Sequence, residues 1–279
     1  MTSRPTQIVP IRNLDPPVGS AVAPAVVLIW TVSLCGGDRG SDQRLLSPEE
    51  KERASRFVFD VDRARFVAAR AFLRRVLAGC VGEDPVALVF AYGAKGRPRL
   101  DGHGARPDFN LSHAADVALL AVSWNSPLGV DVEAVRPMPD LDRLAGRVMH
   151  PSEFAAFERL EERWRTSAFF RLWTRKEAAL KAAGVGFSAD PASFRTGICE
   201  AHEETRIELD GTRCAIRDIA APPGYAAAIC APEGAVFQTA TLPGDAVRRG
   251  LLSDADPRRS AAAQIFGGTR VQSVTPTAL

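Results

Sequence analysis

The sequence predicts an α+β protein, and three observations carry that expectation. Helical patterns are followed by short strand patterns in residues 26–125, and the same order returns in 126–244. Hydrophobic residues make up 46% and charged residues 24%, ordinary globular values that exclude disordered and fibrous classes. The 279 residues are enough for one large domain or two modest ones with an ample core.

Taken in order, residues 1–25 are rich in Pro, Thr and Val and read as a flexible leader. Val26–Val32 is dense in β-branched residues and reads as a buried strand; Gly36–Ser41 reads as a loop. Ser47-Pro48-Glu49-Glu50 sets a helix start, with Ser at the N-cap, Pro at the first helical position and Glu three after the cap. That helix runs to about Arg56, and a second runs from about Val61 to Ala78, stopped by Gly79. Strands are expected at Val86–Tyr92, Phe109–His113, Val117–Val122 and Leu128–Glu133, with a turn-rich stretch at Gly93–Gly104. Arg136–Pro139 breaks the chain. Helices then span Ser152–Arg163 and Thr166–Ala183, ended by Gly184 and Gly186. Arg206–Asp210, Cys214–Asp218 and Tyr225–Cys230 read as a meander, with a turn at Pro222-Pro223-Gly224. Residues 245–279 carry little periodicity and read as a mobile tail. Four parts are therefore expected: 1–25, 26–125, 126–244 and 245–279, with no strong self-similarity between the two central ones.

Lys+Arg number 35 against Asp+Glu 33, a net charge of +2 that excludes adhesion of the whole chain to nucleic acid. Between Arg44 and Arg106 thirteen cations face eight carboxylates, which reads as solvated helix faces in part and an anion funnel in part. Basic residues are not interleaved with aromatics, so no nucleic-acid partner is expected. Five scattered cysteines without a CxxC fit a reducing, cytoplasmic compartment. The longest apolar run, Ala21–Leu34, is interrupted and too short to span a bilayer, and no signal peptide is visible. Only four lysines stand against 31 arginines, and two of the four share one short motif.

The first chemistry-bearing motif is Gly129-Val130-Asp131-Val132-Glu133. Alternate strand residues share a face about 6.6 Å apart, so Asp131 and Glu133 point the same way. Two such carboxylates repel unless a cation lies between them, and Mg²⁺ favours oxygen ligands. The plainer reading is a solvated strand face. The second motif is Trp173-Thr174-Arg175-Lys176-Glu177 followed by Lys181. At 100° per residue Lys176 falls inside the apolar stripe of Phe169, Trp173 and Leu180, while Glu177 and Lys181 lie on its flank. A lysine so placed either snorkels or meets an anion; Glu177 and Lys181 read as an i,i+4 pair or as part of a site. The third is Phe109-Asn110-Leu111-Ser112-His113. Without a GxSxG elbow, Ser112 and His113 suit phosphate binding better than nucleophilic catalysis, beside the plainer reading of a structural histidine.

Together these motifs resemble the 4′-phosphopantetheinyl transferases of the longer, Sfp type. That family reads (I/V)G(I/V)D(I/V)E and (W/F)xxKE(A/S)xxK, and both patterns are met in order and at family spacing. Ser47–Glu50, Arg56-Phe57, the Arg65–Leu77 helix, Gly96-Arg97-Pro98 and Pro223-Gly224-Tyr225 also match, over about residues 26–235. The resemblance implies two similar α+β halves related by a pseudo-two-fold axis in a monomer, with coenzyme A in the cleft between them. It implies transfer of the phosphopantetheine arm from coenzyme A to a serine of an apo acyl or peptidyl carrier protein, releasing adenosine 3′,5′-bisphosphate. Polyketide and non-ribosomal peptide synthases are the usual recipients. Asp131, Glu133 and Glu177 match the ligands of Mg²⁺, for which Mn²⁺ can substitute. Lys176 and Lys181 match the motif lysines, Lys181 meeting the pyrophosphate. Arg53, Arg65, Arg97, Ser112 and His113 match coenzyme A phosphate contacts. At Arg53 and Arg97 a planar fork replaces the family's usual lysine point charge.

Within that implied mechanism Glu177 is the first candidate base for the carrier serine, and Glu153 the second. Lys176 would meet the anion that its buried position requires. Met138–Arg165, with Met149, Phe154, Phe157 and several arginines, is the expected docking face for an acidic carrier, or plain core. A coenzyme A or nucleotide sensor without catalysis is the rival reading.

Overall fold

The structure is a computed structural model that describes residues 11–13, 25–35, 39–93, 96–104, 106–124, 126–184, 189–198, 204–209 and 211–242. The expected tail lies outside the described residues. The chain divides into two compact units. Of the described residues, the first takes in those between 26 and 93 and between 98 and 124, together with a strand from 236 onward; the second takes in those between 126 and 235 with residues 11–13, 25 and 96–97.

The first unit is built on β2 (Val26–Ser33), β5 (Asp108–Ala114), β6 (Val117–Ser123) and β11 (Val236–Leu242), in the order β11-β2-β6-β5. β2 and β6 are antiparallel with Trp30 opposite Leu120; β11 joins β2 in parallel. Three helices precede the hairpin: α1 (Arg39–Leu45), α2 (Pro48–Ser55) and α3 (Asp60–Val81). Phe72, Leu73, Val76 and Leu77 of α3 bury against Trp30, Phe109, Leu120 and Val122. The expected capping box is present: Ser47 accepts from the Glu50 amide, and Glu50 accepts from the Ser47 amide at 3.0 Å. Gly79 does not stop α3. The helix runs one turn further to Gly82, whose φ of 71° places it in the left-handed conformation that closes a helix.

The second unit carries β1 (Ile11–Asn13), β7 (Gly129–Ala134), β8 (Thr205–Leu209), β9 (Thr212–Asp218) and β10 (Tyr225–Pro232), in the order β1-β8-β9-β10-β7. Its helices are α4 (Leu141–Val148), α5 (Pro151–Glu158) and α6 (Glu162–Ala182). Ala178, Ala179, Leu180 and Ala182 of α6 pack on Ile207, Cys214, Ile216, Ala228 and Cys230 of the sheet. Taken separately, both units follow one order: a strand, a short helix with a capping box, a long helix, then antiparallel strands of which the last pairs with the first.

Several segments differ from the sequence expectation. Residues 11–13, placed in a loose leader, form an edge strand against β8, with Ile11 opposite Leu209. The strand expected over Val86–Tyr92 shrinks to β3 (Phe90–Tyr92), paired with β4 (Pro98–Leu100). Asp84 turns the chain first, its carboxylate taking the Val86 amide and its carbonyl the Ala87 amide. The Ser152–Arg163 helix ends at Glu158, and α6 begins four residues later.

Candidate functional site

Two elements of the second unit build the acidic site. β7 is an edge strand, and α6 lies directly on it. Gly129 is what permits the approach: a Cβ there would sit 2.2 Å from the Ala178 carbonyl oxygen and 2.4 Å from the Ala182 amide nitrogen. The pleat then alternates Val130 and Val132, fully buried, with Asp131 and Glu133. Asp131 is only 3% exposed, so the solvated-face reading fails.

Glu177 and Lys181 of α6 meet this strand. Lys181 Nζ donates to Asp131 Oδ1 at 2.5 Å. Burial pushes the Glu177 carboxyl above the usual range; the Lys181 ammonium opposes it, and Asp131 and Glu133 add to it. Glu133 is raised by burial and by Asp131, against Arg136, the Trp173 indole that donates to it, and Lys181. Three carboxylates thus repel one another around one ammonium. Oε1 of Glu177 is buried with no hydrogen-bond partner, a costly state that a cation would relieve.

Among the described residues no three His, Cys, Asp or Glu side chains form a ready metal cage. The acidic trio is an all-oxygen donor set with surplus negative charge, and a cation that keeps waters and substrate phosphates among its ligands does not require a closed cage. The donor chemistry therefore fits Mg²⁺, with Asp131, Glu133 and Glu177 as the side chains that would hold it.

Lys176 and Glu153 do not join this cluster. Lys176 is fully buried, as its place in the apolar stripe predicts, but the anion it meets is Glu153, at 2.8 Å. Its ammonium also donates to the Phe194 carbonyl and lies over the Phe194 ring. Burial lowers the Lys176 ammonium below its ordinary range, with Glu153 opposing. Glu153 Oε1 accepts the Thr196 and Gly197 amides at 2.5 and 3.0 Å, and Oε2 accepts the His150 amide at 2.9 Å and Lys176. A carboxylate has about four acceptor sites, and here four close donors fill them, with the Thr196 hydroxyl a fifth at 3.4 Å. That leaves Glu153 no free acceptor site with which to act as the second candidate base, and the anion that the burial of Lys176 requires is this carboxylate rather than one of a substrate.

Arg97 also differs from expectation. Its guanidinium donates to the Lys181 and Ala182 carbonyls at 3.0 and 3.1 Å and to the Leu128 carbonyl at 3.1 Å. It ties the C-terminal carbonyls of α6, of which that of Lys181 also accepts the Gly184 amide, to the residue before β7. In the first unit Arg65 is held by Asp116 at 2.9 Å and by Asp62 at 3.2 Å. The Arg65 hydrogen bond in turn lowers the Asp116 carboxyl below its usual range. Arg53 lies over the Phe66 ring. Ser112 is buried and His113 exposed, on opposite faces of β5 as neighbouring strand residues must be. Sequence reasoning missed Gly129, Trp173 and Arg175 as functional positions. Gly129 and Trp173 had a signal, since each sits at a fixed offset from the acidic residues.

Comparison with known proteins shows the family. The family model "4′-phosphopantetheinyl transferase superfamily" matches residues 127–230, and "4′-phosphopantetheinyl transferase, N-terminal" matches 41–125. The 4′-phosphopantetheinyl transferase HetI of Nostoc sp. is 41% identical over 51% of this chain and 61% of its own length. A 4′-phosphopantetheinyl transferase of Bacillus subtilis is 31% identical over 71% of this chain and 87% of its own. The human L-aminoadipate-semialdehyde dehydrogenase-phosphopantetheinyl transferase is 29% identical over 60% of each chain. This chain thus spans about three fifths of the length of the first and third of these relatives.

Proposed function

Because the chain belongs to the 4′-phosphopantetheinyl transferase family, in its longer, Sfp-like class, we propose that it transfers the phosphopantetheine arm of coenzyme A to a serine of an apo acyl or peptidyl carrier protein. Adenosine 3′,5′-bisphosphate leaves. The recipients are carriers of polyketide or non-ribosomal peptide synthases, and the protein works as a cytoplasmic monomer. The observation that carries this reading is the meeting of Asp131, Glu133, Glu177 and Lys181 on β7 and α6.

Mg²⁺ held by the three carboxylates would supply charge neutralisation at the pyrophosphate. The chain's own groups do the rest. Lys181, partly exposed beside Asp131, offers its ammonium to the pyrophosphate as a point charge. Glu177 is the first candidate to take the proton of the carrier serine. The serine oxygen bonds to the phosphorus on the pantetheine side as the bond from that phosphorus to the bridging oxygen breaks. Arg53, Arg65, Ser112 and His113 are the proposed phosphate contacts, with the task of orienting the donor rather than reacting. For Arg65 to serve, Asp116 and Asp62 must yield it to the phosphate.

The test is to incubate the full chain with coenzyme A, Mg²⁺ and an apo carrier, and to weigh the carrier. The carrier gains the mass of one phosphopantetheine arm, and Asp131→Ala removes the gain while the circular dichroism is kept. Binding of coenzyme A with no gain on any carrier of a broad panel would favour the sensor reading.

A further inference from the structure

Arg175 and Lys176, the two residues before Glu177, are both buried and both anchored in one segment. Arg175 Nε and Nη2 grip Asp218 of β9 at 2.7 and 2.8 Å, and Nη1 donates to the Thr196 and Gly197 carbonyls at 3.0 Å each. Lys176 takes Glu153 and the Phe194 carbonyl. Glu153 closes the loop by accepting the Thr196 and Gly197 amides. The backbone of residues 194–197 is thus held from α5 by acceptors and from α6 by donors.

Successive helix residues turn by about 100°, so Glu177 points about 150° away from the bisector of Arg175 and Lys176. Lys181, four residues on, returns to within about 40° of Glu177. A helix pinned on its 175–176 side has one rotation left, and that rotation turns Glu177 and Lys181 toward β7.

The first unit contains the same device without the acidic site. Glu50 is the third residue of a capping box on α2, as Glu153 is on α5. Glu50 takes Arg74 at 2.7 Å and Arg70 from α3. Arg74 is the fifteenth residue of α3, and Lys176 is the fifteenth residue of α6. The position after them is Arg75 in one helix, paired with Asp42 of α1 at 2.7 Å, and Glu177 in the other. The clamp occurs where there is no chemistry to perform, so its role in the second unit is geometric.

We propose that Glu153 and Lys176, supported by Arg175 and Asp218, are positioning residues that fix the rotation of α6 and so deliver Glu177 and Lys181 to Asp131 and Glu133. This rests on the transferase reading for its consequence in catalysis, but not for the helix rotation itself. Either single change strands a buried charge and destabilises the chain, so the decisive variant is the charge-free pair Glu153→Gln with Lys176→Met, in which neither charge is left alone.

Two measurements on the full chain separate the outcomes. The first is the acylation rate of Lys181 by an amine-reactive ester, without metal or coenzyme A, read by peptide mass. It should rise several-fold in the double variant as the Asp131 contact loosens. The second is kcat across pH, which should fall by about tenfold or more with an unchanged profile, since a small misplacement is costly in rate. The urea midpoint should stay near that of the parent. An unchanged Lys181 rate, or parental kcat in the double variant, would overturn the proposal. So would a Glu153→Gln variant that loses only the acid limb of the profile, because Glu153 would then be a proton acceptor. If the parent transfers nothing while the Lys181 rate still responds, the transferase reading falls and the positioning role stands.

Discussion

Gly129 shows how a single atom sets the site. Its missing Cβ lets the backbone of α6 rest on β7, and an alanine there would overlap the Ala178 carbonyl. The obstruction is backbone in a packed helix, so it cannot swing away as a side-chain tip would. Gly129→Ala should therefore lower stability by about 2 kcal/mol or more, within the range of overpacked cores. It should also weaken transfer, because α6 carries Glu177 and Lys181. A urea titration with an unchanged midpoint would show that β7 and α6 are not so close. At this scale the sequence was legible where spacing alone decides: the side chains of Asp131 and Glu133 share a strand face, and Lys176 sits in the apolar stripe of its helix. It was not legible where the partner is remote. Nothing near Lys176 announces Glu153, more than twenty residues away, and nothing in Gly96-Arg97-Pro98 announces the carbonyls of Lys181 and Ala182.

The elements follow a similar division. The start of α2 was readable because the capping box is local, and α3 and α6 because their apolar periodicity is long. α4 was missed, with Pro137 and Pro139 before it and Gly146 inside it weakening every local cue. β1 was missed because a three-residue edge strand is defined by its partner β8, nearly two hundred residues on. The capping box does more than start α2, and this can be tested. Burial pushes the Glu50 carboxyl up, but Arg70, the Ser47 amide and Arg74 outweigh it and hold it below the usual range. A carboxyl lowered in the folded state stabilises at pH above its unfolded value of about 4.3, and that contribution disappears as pH falls through the lowered value. Glu50→Gln strands Arg70 and Arg74 without their carboxylate. It should cost about 3 kcal/mol at pH 7 and flatten the loss of stability between pH 5 and 3. Urea midpoints across that range give the answer, and parallel pH slopes for parent and variant would remove Glu50 as the titrating group.

Across the whole molecule the two units share an order of elements but not a charge pattern. The position after the buried clamp is a paired arginine in one and a carboxylate among carboxylates in the other. The second unit therefore carries an electrostatic strain at this position in its resting state. Glu177 and Glu133 are both raised, so the folded chain holds their protons to higher pH than the unfolded chain does. Their contribution to stability is fully present below about pH 4.3 and is lost as pH rises through the raised values. A divalent cation between the carboxylates would reverse that loss and compete with the protons for them. Saturating Mg²⁺ should raise Tm more at pH 8 than at pH 5.5, on the scale of about 2.7 kcal/mol at a hundredfold excess over Kd. Glu177→Gln should raise the metal-free Tm at pH 8, shrink the Mg²⁺ response and abolish transfer together. The three effects would share one cause, the surplus negative charge of the three carboxylates. A scanning-calorimetry series in which Mg²⁺ stabilises the parent and Glu177→Gln equally at both pH values would place the ion elsewhere on the chain.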